Sequence, residues 1–180
     1  MSVEVTAGEA LASTRKMCGL PVDPASRTDW SFCAAGVAIT LPNYSWRRGA
    51  IDKHDLHHLI LSEPFNLNGE CQVAVWEFAA GPYPDIRAQL FCLPLVALGA
   101  LAAPGRTWRS YLNGRRRNSL YRIEVDKSLS LSHLASTTNT GRPNQPVRAA
   151  LGFAALLAAS ASLYLIPILL TGWVVSRALQ

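Results

Sequence analysis

At 180 residues, with 49% hydrophobic and only 16% charged side chains, the chain is too oily and too charge-poor for an ordinary soluble globule. The length gives room for one domain plus an appendage. The net charge of +5 is unevenly spread: nine Lys/Arg face two acids between Leu101 and Arg148, whereas residues 1–100 hold seven against ten. Because that basic block precedes a charge-free apolar run, the charge points to a membrane surface rather than to nucleic acid.

Residues 1–5 carry no basic, apolar leader pattern. Thr6-Ala7-Gly8-Glu9 fits a capping box opening a short packing helix that Gly19 and Pro21 close. Residues 21–45 are broken by Pro21, Pro24 and Pro42, and the apolar run Phe32–Leu41 fits a strand or a buried helical turn equally well. Cys18, Cys33, Cys71 and Cys92 form no CxxC pair and read as reduced core residues.

A helix is expected from about Ser45 to residue 62, with Leu56, Leu59 and Ile60 as its apolar side. At 100° per residue, His54, Asp55 and His58 fall within roughly a 100° arc, and His54 and His58 lie one turn apart. Ser62 to Gly69 reads as a turn that doubles the chain back, and Glu70 opens the next helix, which Gly81-Pro82 stops. Two imidazoles and two carboxylates from an antiparallel helix pair are a ligand set for a divalent metal. The bland alternative is a solvated polar face. His57 lies to one side of the arc and reads as a supporting or surface histidine. The helix 69–80 is apolar nearly all round, so Glu77 needs a partner within it. It lies about 10 Å along the axis from Glu70, too far to share one ion in a regular helix. An ion pair with a neighbouring helix is the expectation, with contact to substrate or to a metal ligand as the alternative.

Asp85–Ala103 reads as an apolar core helix carrying Pro94. Arg106, Arg109, Arg115, Arg116, Arg117 and Arg122 follow without an acid, interleaved with Trp108, Tyr111 and Tyr121. The bland reading is a solvated helix face; guanidinium groups there also suit anionic headgroups first, or a prenyl phosphate. Residues 132–147 read as a flexible tether. Ala149–Ser176 is 28 residues without a charge between Arg148 and Arg177, longer than the roughly 20 a helix needs to cross a bilayer. The expected fold is therefore all-α: a helical metal-binding domain over 1–131, a linker over 132–147, and a single-pass transmembrane anchor over 148–177, which should be removable without unfolding the domain. The arginine excess puts the domain on the cytoplasmic side of an inner membrane.

His54-Asp55-x-x-His58, eleven residues and Glu70 resemble the signature of the coenzyme Q (ubiquinone) biosynthesis protein 4 family. Pro64, Asn66, Gly69, Trp76-Glu77 and Gly114-Arg115-Arg116 extend the likeness over roughly residues 42–126. It is strongest toward a short bacterial branch with Asp-Leu-His-His in this helix. The chain differs from better-known members in its abbreviated N-terminal region and added apolar C-terminus. The resemblance implies an all-helical fold with His54, Asp55, His58 and Glu70 holding one divalent ion: zinc first, with iron, manganese or cobalt also suited to the donors. It further implies an apolar cavity for a lipid tail and action on a polyprenylated benzenoid ring, exchanging the C1 carboxyl for a hydroxyl. An alternative is a non-enzymatic scaffold that holds polyprenyl lipid and organises other quinone-biosynthesis proteins, and a homo-oligomer is compatible with either. A phosphohydrolase of the His-Asp type would need a histidine upstream of His54, and there is none.

Overall fold

The computed structural model describes residues 5–34, 37–143 and 145–178, with side chains over 5–31, 38–143 and 145–165. The described chain is mostly helical. It runs α1 (Ala7–Met17), β1 (Asp29–Ala34), β2 (Val37–Pro42), α2 (Ser45–Leu61), α3 (Leu67–Ala80), α4 (Ile86–Ala102), α5 (Pro104–Arg115), α6 (Leu131–Thr137) and α7 (Pro146–Ala178).

Local chemistry sets most boundaries. Thr6 and Glu9 form the reciprocal capping box at the start of α1. Ser62 ends α2 in the left-handed conformation, and the Asn66 side chain accepts the Gly69 N–H to start α3. Gly69 has no alternative, because a Cβ there would collide with the Pro64 carbonyl. The ambiguous apolar run resolves as an antiparallel hairpin pairing Asp29 with Pro42 and Ser31 with Thr40, a small departure from an all-α chain.

Two apolar clusters flank the α2–α3 pair. Ala7, Leu11, Leu56, Leu120 and Leu134 form one. Val75, Val96, Tyr111 and Ala149 form the other, supported by Leu93, Trp108, Phe153 and Leu156. Membership of Leu134 corrects the tether reading. Residues 131–137 are a helix capped by Ser130, and its one buried leucine pins it to α1 and α2. Polar composition hid this because a seven-residue helix needs only one apolar anchor. Among the cysteines, Cys71 is buried and Cys92 half-buried, but Cys18 is exposed at the end of α1, not in the core. Cys33 lies outside the described side chains.

α7 also differs from a detached anchor. Its N-terminal half supplies Ala149, Phe153, Leu156 and Leu157 to the second cluster. It is spliced into α4 as well. That helix carries Pro94, and the Ser160 hydroxyl bonds its backbone on either side, donating to the Leu93 carbonyl at 2.6 Å and accepting the Ala97 N–H at 2.9 Å. Tyr164 donates to the Pro94 carbonyl at 3.0 Å.

Ser160→Ala is expected to remove the hydrogen bonds that tie α7 to α4 and cost about 0.5–1.5 kcal/mol, whereas Ser162→Ala, whose hydroxyl bonds only the Ala159 carbonyl of its own helix, should be near neutral. Unfolding in detergent solution separates the two. Truncation before Pro146, contrary to the reading of a removable anchor, should leave the second cluster open and the domain aggregation-prone.

Candidate metal centre

α2 and α3 meet through polar groups that converge on one small volume. His54 Nε2 is 3.0 Å from Glu70 Oε2 and 3.3 Å from His58 Nε2, and His58 Nε2 is 3.3 Å from Glu70 Oε1. One ligand atom from each of the three lies within 4.8 Å of the others. A tetrahedral zinc ion bonded to nitrogen and oxygen at about 2.0–2.1 Å separates its donors by about 3.3 Å. The pairwise spacings are close to that value, and the three residues could hold such an ion.

The other ring nitrogens fix which atoms face inward. His54 Nδ1 lies 3.0 Å from Glu77 Oε1, and His58 Nδ1 lies 3.3 Å from the Glu63 carbonyl. With both Nδ1–H groups donating outward, both Nε2 lone pairs point at each other and at the Glu70 carboxylate. Three electron-rich atoms held this close attract a cation. A proton on His54 answers the same attraction. Burial alone would lower the His54 pKa, but Glu77 and Glu70 outweigh it and hold the imidazole well above its usual value. Burial would raise Glu70, yet its bonds to His54 and His58 carry it far below the ordinary carboxylate range. The Phe65 ring stacks on His58 at 4.5 Å and fixes that imidazole from the turn side. His58 is fully buried, while the Glu70 side chain is one-third exposed, so the cluster opens on the Glu70 side.

Glu77 does not enter the triad but governs it. One oxygen, Oε1, accepts from His54, from His57 Nδ1 at 2.7 Å and from the Tyr121 hydroxyl at 2.7 Å. His57 is buried; its Nε2 accepts the Leu120 N–H at 2.9 Å, so Nδ1 carries the proton. Burial, the largest influence on it, lowers its pKa. His57 is thus a neutral strut between Glu77 and the turn at Leu120–Arg122.

Asp55 is not brought into the group. Its rotation on α2 turns it toward α1, where Arg15 donates to Oδ2 through Nε at 2.8 Å and also pairs with Asp52 at 2.8 Å. Arg15 is buried, and a buried guanidinium demands its carboxylates. The four-ligand expectation therefore narrows to His54, His58 and Glu70. Of the arginines assigned to headgroup or prenyl phosphate, Arg106 is tied to Glu63 in the α2–α3 turn. Arg109, Arg115 and Arg116 are exposed, and Arg117 is half-buried beside an antiparallel bridge to Asn139.

Sequence reading missed Arg15, Glu63, Phe65 and Tyr121. Phe65 sits inside the motif's own turn and was open to inspection; Arg15 and Tyr121 lie 40 and 44 residues from their partners, with no local signal. No protein-family model, curated protein or solved structure matches the chain.

His58→Ala and Glu70→Gln should each abolish high-affinity binding of Zn²⁺ in a competition titration. Asp55→Asn should keep one-to-one binding but lower stability by about 3 kcal/mol, because it weakens the pairing of a buried arginine. Loss of binding in Asp55→Asn, with the fold intact, would restore that residue to the ligand set.

Proposed function

We propose that this chain is a membrane-associated, metal-dependent protein of ubiquinone biosynthesis, similar to the coenzyme Q biosynthesis protein 4 family, acting on the C1 carboxyl of a polyprenylated benzenoid ring. The observation that carries the reading is the inward-facing triad of His54, His58 and Glu70 at ion-sized separations. Two histidines and one carboxylate leave coordination positions for a substrate, the pattern of catalytic rather than structural zinc sites and of non-haem Fe(II) sites. A bound ion would supply Lewis acidity toward a substrate carboxylate and a place for water or dioxygen.

The protein's own groups would do the rest. His54 and His58 present Nε2, Glu77 and the Glu63 carbonyl hold those tautomers, and Glu70 balances charge at the open side. Replacing a ring carboxyl by hydroxyl consumes the acid, one water and one dioxygen and yields the phenol, carbon dioxide and hydrogen peroxide. Dioxygen is the two-electron acceptor in that balance. The apolar surface of α4 and α7 suits delivery of a substrate with a long prenyl tail, and the exposed Arg109, Arg115 and Arg116 suit anionic headgroups at the cytoplasmic face of an inner membrane.

The test is metal content together with turnover of a prenylated hydroxybenzoate. Both should be lost in His58→Ala. Glu77→Gln, which keeps the shape but weakens the imidazole anchor, should lower metal affinity about 10–100-fold. A ligand variant that loses metal yet still binds polyprenyl lipid and supports quinone synthesis in cells would favour the scaffold reading instead.

A further inference from the structure

α7 is long and apolar enough to cross a bilayer over Pro146–Leu165, yet only 11% of that apolar window is buried within the protein. Length and composition do not describe how the helix is held. From Ala149 to Tyr164 its inner side is packed on α5 and α4 and hydrogen-bonded to the α4 backbone around Pro94. The opposite side of α4 is itself buried: Ala88, Val96 and Gly99 face the domain, and a Cβ at Gly99 would press on Cys71 of α3. A perpendicular crossing by this half of α7 would drag α4, and α3 behind it, into hydrocarbon. Exposed charges around them, Arg87, Arg109 and Arg115 among them, would have to follow. Beyond Tyr164, the uncharged residues 165–176 number 12, about 18 Å of helix, short of the roughly 30 Å hydrocarbon thickness.

The outer faces of the two helices resolve the conflict. On α7, Leu151, Ala154, Ala158 and Leu163 are exposed. On α4, Leu90, Leu98 and Leu101 are exposed, Leu101 at 83%. An entirely apolar groove lined by Ala97, Leu98, Leu101, Ala161, Tyr164 and Leu165 joins them. The α4 part of this surface is about 22 Å long from Ile86 to Leu101, too short to span a bilayer and suited to lying in its plane. Exposed Arg87 and Arg148 lie in the first turns of α4 and α7.

We infer that α4 and α7 form a monotopic docking face, lying in one leaflet of the bilayer, with both chain termini on the same side of the membrane. The inference rests on the reading that this apolar surface meets lipid, and it replaces the single-pass topology. The site's open side would then be reachable without the chain crossing the membrane.

The full chain carrying an epitope after Gln180 is expressed in a bacterial host, and inverted inner-membrane vesicles are treated with protease. A monotopic chain loses the epitope along with the domain; protection of the epitope overturns the inference while leaving lipid binding intact. Separately, purified protein is floated with vesicles of phosphatidylethanolamine and phosphatidylglycerol. Leu101→Glu combined with Leu151→Glu, both at exposed positions that the fold does not need, should lower the bound fraction about tenfold or more with unchanged helicity. Unaltered flotation of that variant overturns the docking face. Failure of the parent chain to float removes the lipid reading and the inference together. Efficient disulfide-linked dimers of Leu101→Cys in membranes would assign the face to a second copy and likewise overturn it.

Discussion

A single carboxylate oxygen, Glu77 Oε1, holds the centre of this protein together. It sits in low-dielectric surroundings and accepts from His54 and His57 of α2 and from Tyr121 beyond α5. A buried carboxylate without such donors is strongly disfavoured, and with three of them it keeps its charge: burial would raise its pKa, but the two histidines hold it far below the ordinary range. The bonds also fix geometry. They rotate His54 so that Nε2 faces Glu70, they lock His57 between Glu77 and the Leu120 backbone, and they draw the Leu120–Arg122 turn over the helix pair. The charge that would make α3 an unstable core helix is therefore what orders the cluster beside it.

The same logic explains why Asp55 and Glu70 have different fates although both carry acid into a helix interface. Glu70, in the first turn of α3, gains from the helix dipole and meets two imidazoles. Asp55 is turned by one residue from His54, about 100° around α2, and meets a buried arginine. Arg15 in turn recruits Asp52, which also binds Lys127, so α1 is sewn to α2 by a line of alternating charges. One motif thus does two jobs on two faces: His54 and His58 look to α3, and Asp55 secures α1.

Local rules made much of this legible beforehand. The Thr6–Glu9 box, the start of α2 at Ser45, the turn through Pro64 and Gly69, the stop at Gly81-Pro82 and the Pro94-bearing α4 all follow from capping, turn chemistry and periodicity. The partnership of His54, His58 and Glu70 was legible because one turn of helix and one reversal of chain place them together. What stayed hidden depended on long-range choice. Arc geometry could not decide whether Asp55 would face a metal or Arg15. Tyr121 carries no mark of belonging to Glu77. The polar run around Leu134 resembled a tether because its anchoring is one side chain deep.

The C-terminal helix shows the limit of reading by length. Apolar length measures what a helix is able to cross, not what it is bound to. Ser160 bears on that difference: its hydroxyl bonds both the Leu93 carbonyl and the Ala97 N–H and so ties α7 to α4. Water could serve those groups at a surface, but in an apolar setting only another hydroxyl or amide can. A serine and a tyrosine from an otherwise apolar helix thus both bond the backbone of α4 around Pro94. With α3 packed on the other side of α4, the pair leaves its apolar outer face exposed.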